Sequence, residues 1–95
     1  MSKPFMLTYD LNSPGQRYTE IKEIIESELS SGEWCHFWDS TYLLRSNLSA
    51  SEMMDKLKAK ADSGDKFFIT EIVKNEYSGW LTEDQWKYIK EHIVY

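Results

Sequence analysis

Apolar residues repeat along this chain with two different periods, and the order of those periods constrains the fold more than any single motif. The run Phe5–Leu11 alternates with the period of two that is typical of a half-buried strand. A capping box from Ser13 to Gln16, with Pro14 at the first helical position, predicts that a helix begins there. The stripe that carries this helix to about Ser30 consists of Tyr18, Ile21, Ile24, Ile25 and Leu29.

The rest of the chain continues the alternation of strands and helices. Two aromatic runs, residues 33–38 and 41–46, flank the turn-prone pair Asp39-Ser40 and predict a hairpin. Capping boxes at Ser49 and Thr82 predict a short second helix and a C-terminal helix over about 82–94, with a strand at 66–73 between them. This order predicts a single α+β domain over residues 1–95, with its core at about 5–74. We expect a ferredoxin-like βαββαβ sandwich: a four-stranded antiparallel sheet, two helices on one face, and an added C-terminal helix.

Composition excludes several classes of protein and compartment. The formal net charge of −5 disfavours general affinity for nucleic acid phosphates. No apolar run approaches the roughly 20 residues needed to span a bilayer, so we expect no membrane partner. The single cysteine, Cys35, forms no internal disulfide, and the N-terminal residues lack a secretory signal, which predicts a cytoplasmic protein.

The face of the sheet opposite the two helices bears on oligomeric state. The strand-rich region contains six aromatic residues from Trp34 to Phe68, and some of them must point away from the helices. A large exposed apolar patch usually marks an interface, which favours a homodimer formed through the sheet. In the alternative, the C-terminal helix folds back within one chain, and Trp86 and Ile89 cover the patch.

Asp10 is the strongest candidate for a functional side chain. It lies near the end of an apolar strand that is expected to be central, where a carboxylate is costly to bury unless it meets a cation, a donor or water. A carboxylate at a strand end can hold Mg²⁺, and it can equally cap the turn at Asn12. The phosphate-binding glycine loop, the paired-cysteine zinc motif and the common hydrolase motifs are absent.

The strand Leu7–Leu11, a helix and an aromatic hairpin with Asp39-Ser40-Thr41-Tyr42 at its turn resemble a known family. They are similar to the small endoribonuclease of the CRISPR adaptation complex and to virulence-associated protein D, over about residues 5–74. The resemblance implies a ferredoxin-like homodimer that cleaves RNA or DNA with a metal ion. It implies that Asp10 binds Mg²⁺ opposite its twin, and that Ser40 lies near the cleft as a second candidate catalytic residue.

The chain departs from that family in its C-terminal helix and its acidity, with Arg17 and Arg45 as the cations expected near Asp10. The predicted binding residues are therefore Asn12, Arg17 and Arg45, together with Trp80, which either stacks on a base or anchors the following helix.

Two functions stay open at this stage. One is a non-catalytic module that binds a nucleotide, a short nucleic acid or a protein partner, and the other is a metal-dependent endoribonuclease with paired Asp10 carboxylates. A role in defence or in a toxin–antitoxin pair follows by analogy only.

Overall fold

The computed structural model describes residues 1–11 and 16–95, and its elements follow the predicted order. The first and third helices each end in a π-helical turn, in which the backbone hydrogen bonds join residues five apart instead of four. The elements are β1 (Lys3–Asp10), α1 (Gln16–Ile24) with its π turn (Ile25–Leu29), β2 (Trp34–Trp38), β3 (Thr41–Ser46), α2 (Ala50–Lys58), β4 (Lys66–Glu71), and α3 (Glu83–Tyr88) with its π turn (Ile89–Ile93).

The four strands form one antiparallel sheet in the order β2-β3-β1-β4. This is the arrangement that two right-handed split βαβ units produce, so the predicted ferredoxin-like α+β architecture is confirmed. β1 lies between β3 and β4, as expected for a central strand.

Local sequence explains where two of the helices begin. The Ser49 hydroxyl accepts from the Glu52 backbone N–H, and the Glu52 carboxylate accepts from the Ser49 N–H. Thr82 and Gln85 form the same reciprocal pair at α3. These boxes satisfy backbone donors that the first helical turn leaves without partners. The capping box predicted from Ser13 lies outside the described residues.

Helices α1 and α2 cover one face of the sheet and enclose the larger core. Alternate residues of β1 (Phe5, Leu7 and Tyr9) point into it and meet the apolar sides of both helices. The members of this core that are less than 2% exposed include Leu7, Ile21, Ile25, Leu29, Tyr42, Leu44, Met53 and Leu57.

The opposite face is covered in part by α3. Ile89 and Ile93 are buried against Cys35 and Leu43, with Met6 packed beside them. The structure therefore adopts the arrangement in which the C-terminal helix folds back within one chain. Among the described residues, no helix combines the length and apolarity required to cross a bilayer.

Candidate functional site

Asp10 lies at the end of β1 with its side chain exposed. The register places it directly across from Lys66, the first residue of β4. Within the described residues neither of these two side chains forms an ion pair. Asp10 is therefore accessible to a ligand or to another protein chain.

Ser40 lies at the same end of the sheet, in the turn between β2 and β3. Its carbonyl accepts from the Tyr9 backbone N–H at 3.0 Å and from the Thr8 hydroxyl at 3.2 Å. The structure thus brings Ser40 next to the residue that precedes Asp10. These hydrogen bonds hold the turn through the Ser40 backbone, and the Ser40 hydroxyl takes no part in them.

A metal ion held by one chain alone would need more ligands than Asp10 supplies. In the described part of the chain, no group of three His, Cys, Asp or Glu side chains converges on one point. Magnesium accepts one or two carboxylates and keeps several waters, so Asp10 fits such a site when a second chain adds a second carboxylate. The exposed Asp10 carboxylate is thus compatible with Mg²⁺, and pairing of two chains would supply the second carboxylate.

Arg45 does not lie near Asp10, which corrects the expectation from sequence. β3 runs antiparallel to β1, so Arg45 pairs with Pro4, and six residues of strand, about 20 Å, separate Pro4 from Asp10. The Arg45 side chain is only 7% exposed and donates to the Ser2 hydroxyl, the Ser2 carbonyl and the Ile93 carbonyl. Its guanidinium also lies 4.1 Å from the centroid of the Tyr95 ring.

A row of side chains across the sheet remains uncovered beyond the edge of α3. The register aligns Trp38, Thr41, Thr8 and Phe68, one from each strand, on the α3 face. The Thr41 hydroxyl donates to the Thr8 hydroxyl at 3.1 Å, while the two aromatic ends are exposed, Trp38 by 38% and Phe68 by 62%. We call this row the exposed strip; Asp10 and Lys66 form the next pair beyond it.

Trp80 is completely exposed, at 100% of its reference surface. It borders an apolar groove of about 300 Å³ between α3 and the sheet, which it shares with Trp38 and Trp86. The alternative in which Trp80 anchors α3 is not what the structure shows; Leu81 and Trp86 pack against the buried α3 cluster instead. An indole without packing contacts beside an apolar groove is available to a ligand.

A partly buried polar cluster lies on the α1 face, and the sequence does not predict it. The Tyr42 hydroxyl donates to the Glu26 carboxylate at 2.5 Å, and the His36 ring stacks on Tyr42 with centroids 4.2 Å apart. The neighbouring Tyr9 hydroxyl is buried with no hydrogen-bond partner among the described residues. Burial raises the pKa of Tyr9 to about 12, and burial together with the Glu26 hydrogen bond raises the pKa of Tyr42 further.

Contacts within this cluster are hard to predict from the sequence, because its members are far apart along the chain. In the sequence, Glu20, Glu23 and Glu26 are typical of a solvated helix face. The position of Glu26 in the π-helical turn directs it toward Tyr42, and a π turn is itself not readable from apolar spacing.

Comparisons with known proteins identify no relative. No family model, no curated protein and no solved structure matches this chain. The predicted binding residue Asn12 and the side chain of Arg17 lie outside the described part of the structure. The candidate site within the described residues thus consists of Asp10, Ser40, the exposed strip and the Trp80 groove.

Proposed function

We propose that this chain is a small binding module that acts as a homodimer and carries out no catalysis. The observation that supports the proposal is the exposed strip: α3 covers only part of the sheet face and leaves Trp38 and Phe68 open to solvent. Exposed aromatic residues on a rigid sheet are the usual centre of a protein interface.

Charge indicates a second copy of the chain as the partner on the strip. The strip contains no charged residue, and the pair beyond it has one acid and one base, Asp10 and Lys66. A two-fold axis through the strip that brings the Asp10 of one copy near the partner's Lys66 would create the reverse contact by symmetry. Phosphate backbones find no excess of positive charge here, in a chain whose net charge is −5.

The strip is tested by sedimentation equilibrium of the wild-type chain and of Phe68→Glu. Each copy of the variant would then bury an unpaired carboxylate in the interface, which should weaken dimerisation at least tenfold, since unpaired charges are costly to desolvate. Val73→Glu is the matched control, because Val73 is also 62% exposed but lies outside the strip. A monomeric wild-type chain, or equal weakening by both variants, contradicts the proposal.

One observation favours a second candidate function, a metal-dependent endoribonuclease. Asp10 is exposed on the same face as the strip, so a dimer formed there can bring two Asp10 carboxylates together around Mg²⁺. The resemblance to the CRISPR adaptation endoribonuclease and to virulence-associated protein D implies the same arrangement.

Asp10→Asn separates the two candidates. If the chain is a binding module, the substitution removes the attraction to the partner's Lys66, so the dimer weakens. Neither the wild type nor the variant then cleaves RNA. In the nuclease it removes repulsion between two carboxylates, so the metal-free dimer tightens and Mg²⁺-dependent RNA cleavage disappears. Purified wild-type protein that cleaves RNA with Mg²⁺ would end the non-catalytic proposal.

A further inference from the structure

A shallow depression of about 500 Å³ lies between α3 and the segment that precedes it. Its wall is formed by Tyr77 and Ser78 of the segment before α3 and by Trp86, Lys87 and Lys90 of the helix. This volume is within the range of small-molecule binding sites. We call this depression the Trp86 pocket.

The aromatic wall of the pocket is held in place by packing. The rings of Tyr77 and Trp86 have centroids 6.2 Å apart with their planes inclined by 31°. The backbone at Gly79 lies against the indole, since a Cβ at that position would be in ordinary contact with Cζ2 of Trp86, at 3.4 Å. Trp86 also packs against the buried cluster under α3. A ligand ring that stacks here meets a surface that is already ordered.

Charge in the pocket has the opposite sign to charge on the whole chain. Lys87 and Lys90 line it, and neither forms an ion pair with another described residue. The Lys90 ammonium lies 5.8 Å from the centroid of the Trp86 ring, so a cation already stands beside the aromatic surface. Glu83 is the one acid in the wall, which leaves a local excess of one positive charge on a chain with a net charge of −5.

We propose that the Trp86 pocket binds an anionic ligand with a planar ring, of the class of a mononucleotide. The ring stacks on Trp86 and Tyr77, and the phosphate is bound by Lys87 and Lys90. The Glu83 carboxylate accepts a hydrogen bond from an exocyclic amino group of the ring. This inference gives the proposed binding module a ligand, and it does not depend on the exposed strip or on the dimer.

Adenosine monophosphate is the probe, followed through the indole N–H signals of ¹⁵N-labelled protein. The chain has four tryptophans, so a pocket ligand should shift the Trp86 signal saturably and leave the Trp38 signal in place. Adenosine lacks the phosphate and inorganic phosphate lacks the ring, and each alone should bind at least tenfold more weakly. Raising the salt concentration should weaken the binding of adenosine monophosphate.

The double variant Lys87→Gln/Lys90→Gln should lose about tenfold in affinity for adenosine monophosphate. Lys56→Gln/Lys60→Gln removes two lysines from α2 and the residues that follow it, away from the pocket, and should bind like wild type. Both pairs change the net charge equally, so a difference between them is local. Equal affinity in the two variants, adenosine binding as tightly as its monophosphate, or no shift at millimolar ligand overturns the inference. A single-stranded oligonucleotide that binds while the mononucleotide does not overturns it as well.

Failure of this inference and failure of the proposed dimer are distinguishable. A monomer that binds adenosine monophosphate retains the pocket and contradicts the dimer. If the wild-type chain is a dimer that Phe68→Glu disrupts, and it binds no mononucleotide, the proposed dimer interface is supported and the proposed ligand of the Trp86 pocket is contradicted.

Discussion

Nη1 of Arg45 donates to the backbone carbonyl of Ile93 at 2.6 Å, which ties the third strand to the last turn of the C-terminal helix. The same side chain donates from Nη2 to the Ser2 carbonyl, also at 2.6 Å. One buried guanidinium thus joins the first strand's entry, the third strand and the helix that covers the sheet. Five fixed donors make arginine suited to such a junction.

Replacing Arg45 by Met should destabilise the protein by about 2–4 kcal/mol, because the buried Ile93 carbonyl and the partly buried Ser2 carbonyl lose a charged donor. Urea unfolding measures the loss. Hydrogen exchange should rise most in α3, since the Ile93 contact anchors that helix. Arg45→Lys keeps the charge without the planar fork and should be intermediate between wild type and Met. Wild-type stability in Arg45→Met contradicts the assignment.

Loss of the hydroxyl should change the free energy of unfolding differently at the two neighbouring residues Tyr9 and Tyr42. Tyr42→Phe removes the donor to Glu26 and should cost about 1–2 kcal/mol. Tyr9→Phe removes a buried hydroxyl that has no partner among the described residues, and should be neutral or stabilising. The pair is its own control, since both rings are buried and each variant loses one oxygen. Equal destabilisation in urea unfolding would contradict the different roles.

The sequence predicts the order of the helices and strands well, because the signals that begin and end them depend on residues close together in the chain. β3 begins and ends where the pattern predicted, at Thr41 and Ser46, and both testable capping boxes are present. Strand β4 ends at Glu71, two residues earlier than predicted, and Ile72 makes only one backbone bond beyond it, to Pro4. Turn chemistry and capping act over four residues, so they can be read from the chain.

The candidate site was harder to predict because it depends on contacts between distant residues. Arg45 was predicted to bind a ligand because it was expected to be a cation near Asp10. The β1–β3 register instead pairs it with Pro4, and its guanidinium donates to Ile93 and Ser2. Which aromatic residues stay exposed depends on the irregularity in β2 between Cys35 and Trp38 and on the reach of α3. Neither is encoded in local spacing.

Stability should fall as the pH rises above about 10. Both Tyr9 and Tyr42 have pKa values raised in the folded state, so between pH 10 and 12 the folded chain holds protons that the unfolded chain has lost. The stabilisation is complete below pH 10 and decreases by up to about 1.4 kcal/mol per pH unit for each tyrosine. Urea unfolding from pH 8 to 11.5 measures the slope. Tyr9→Phe/Tyr42→Phe should reduce the slope above pH 10 without removing it, because the pKa values of Cys35 and Tyr88 are also raised in the folded state. An unchanged slope would assign the whole effect to these other groups.

Cys35 reports whether the C-terminal helix leaves the sheet independently of global unfolding. Its thiol is buried under α3, and burial raises its pKa to about 11, so a disulfide reagent at pH 8 should label it slowly.

Ile93→Ala opens a cavity between α3 and the sheet and should accelerate labelling. Leu57→Ala deletes a similar fully buried side chain from the core on the other face. If α3 detaches locally, labelling is faster in Ile93→Ala than in Leu57→Ala at equal global stability. Equal rates would mean that Cys35 becomes accessible only when the whole chain unfolds.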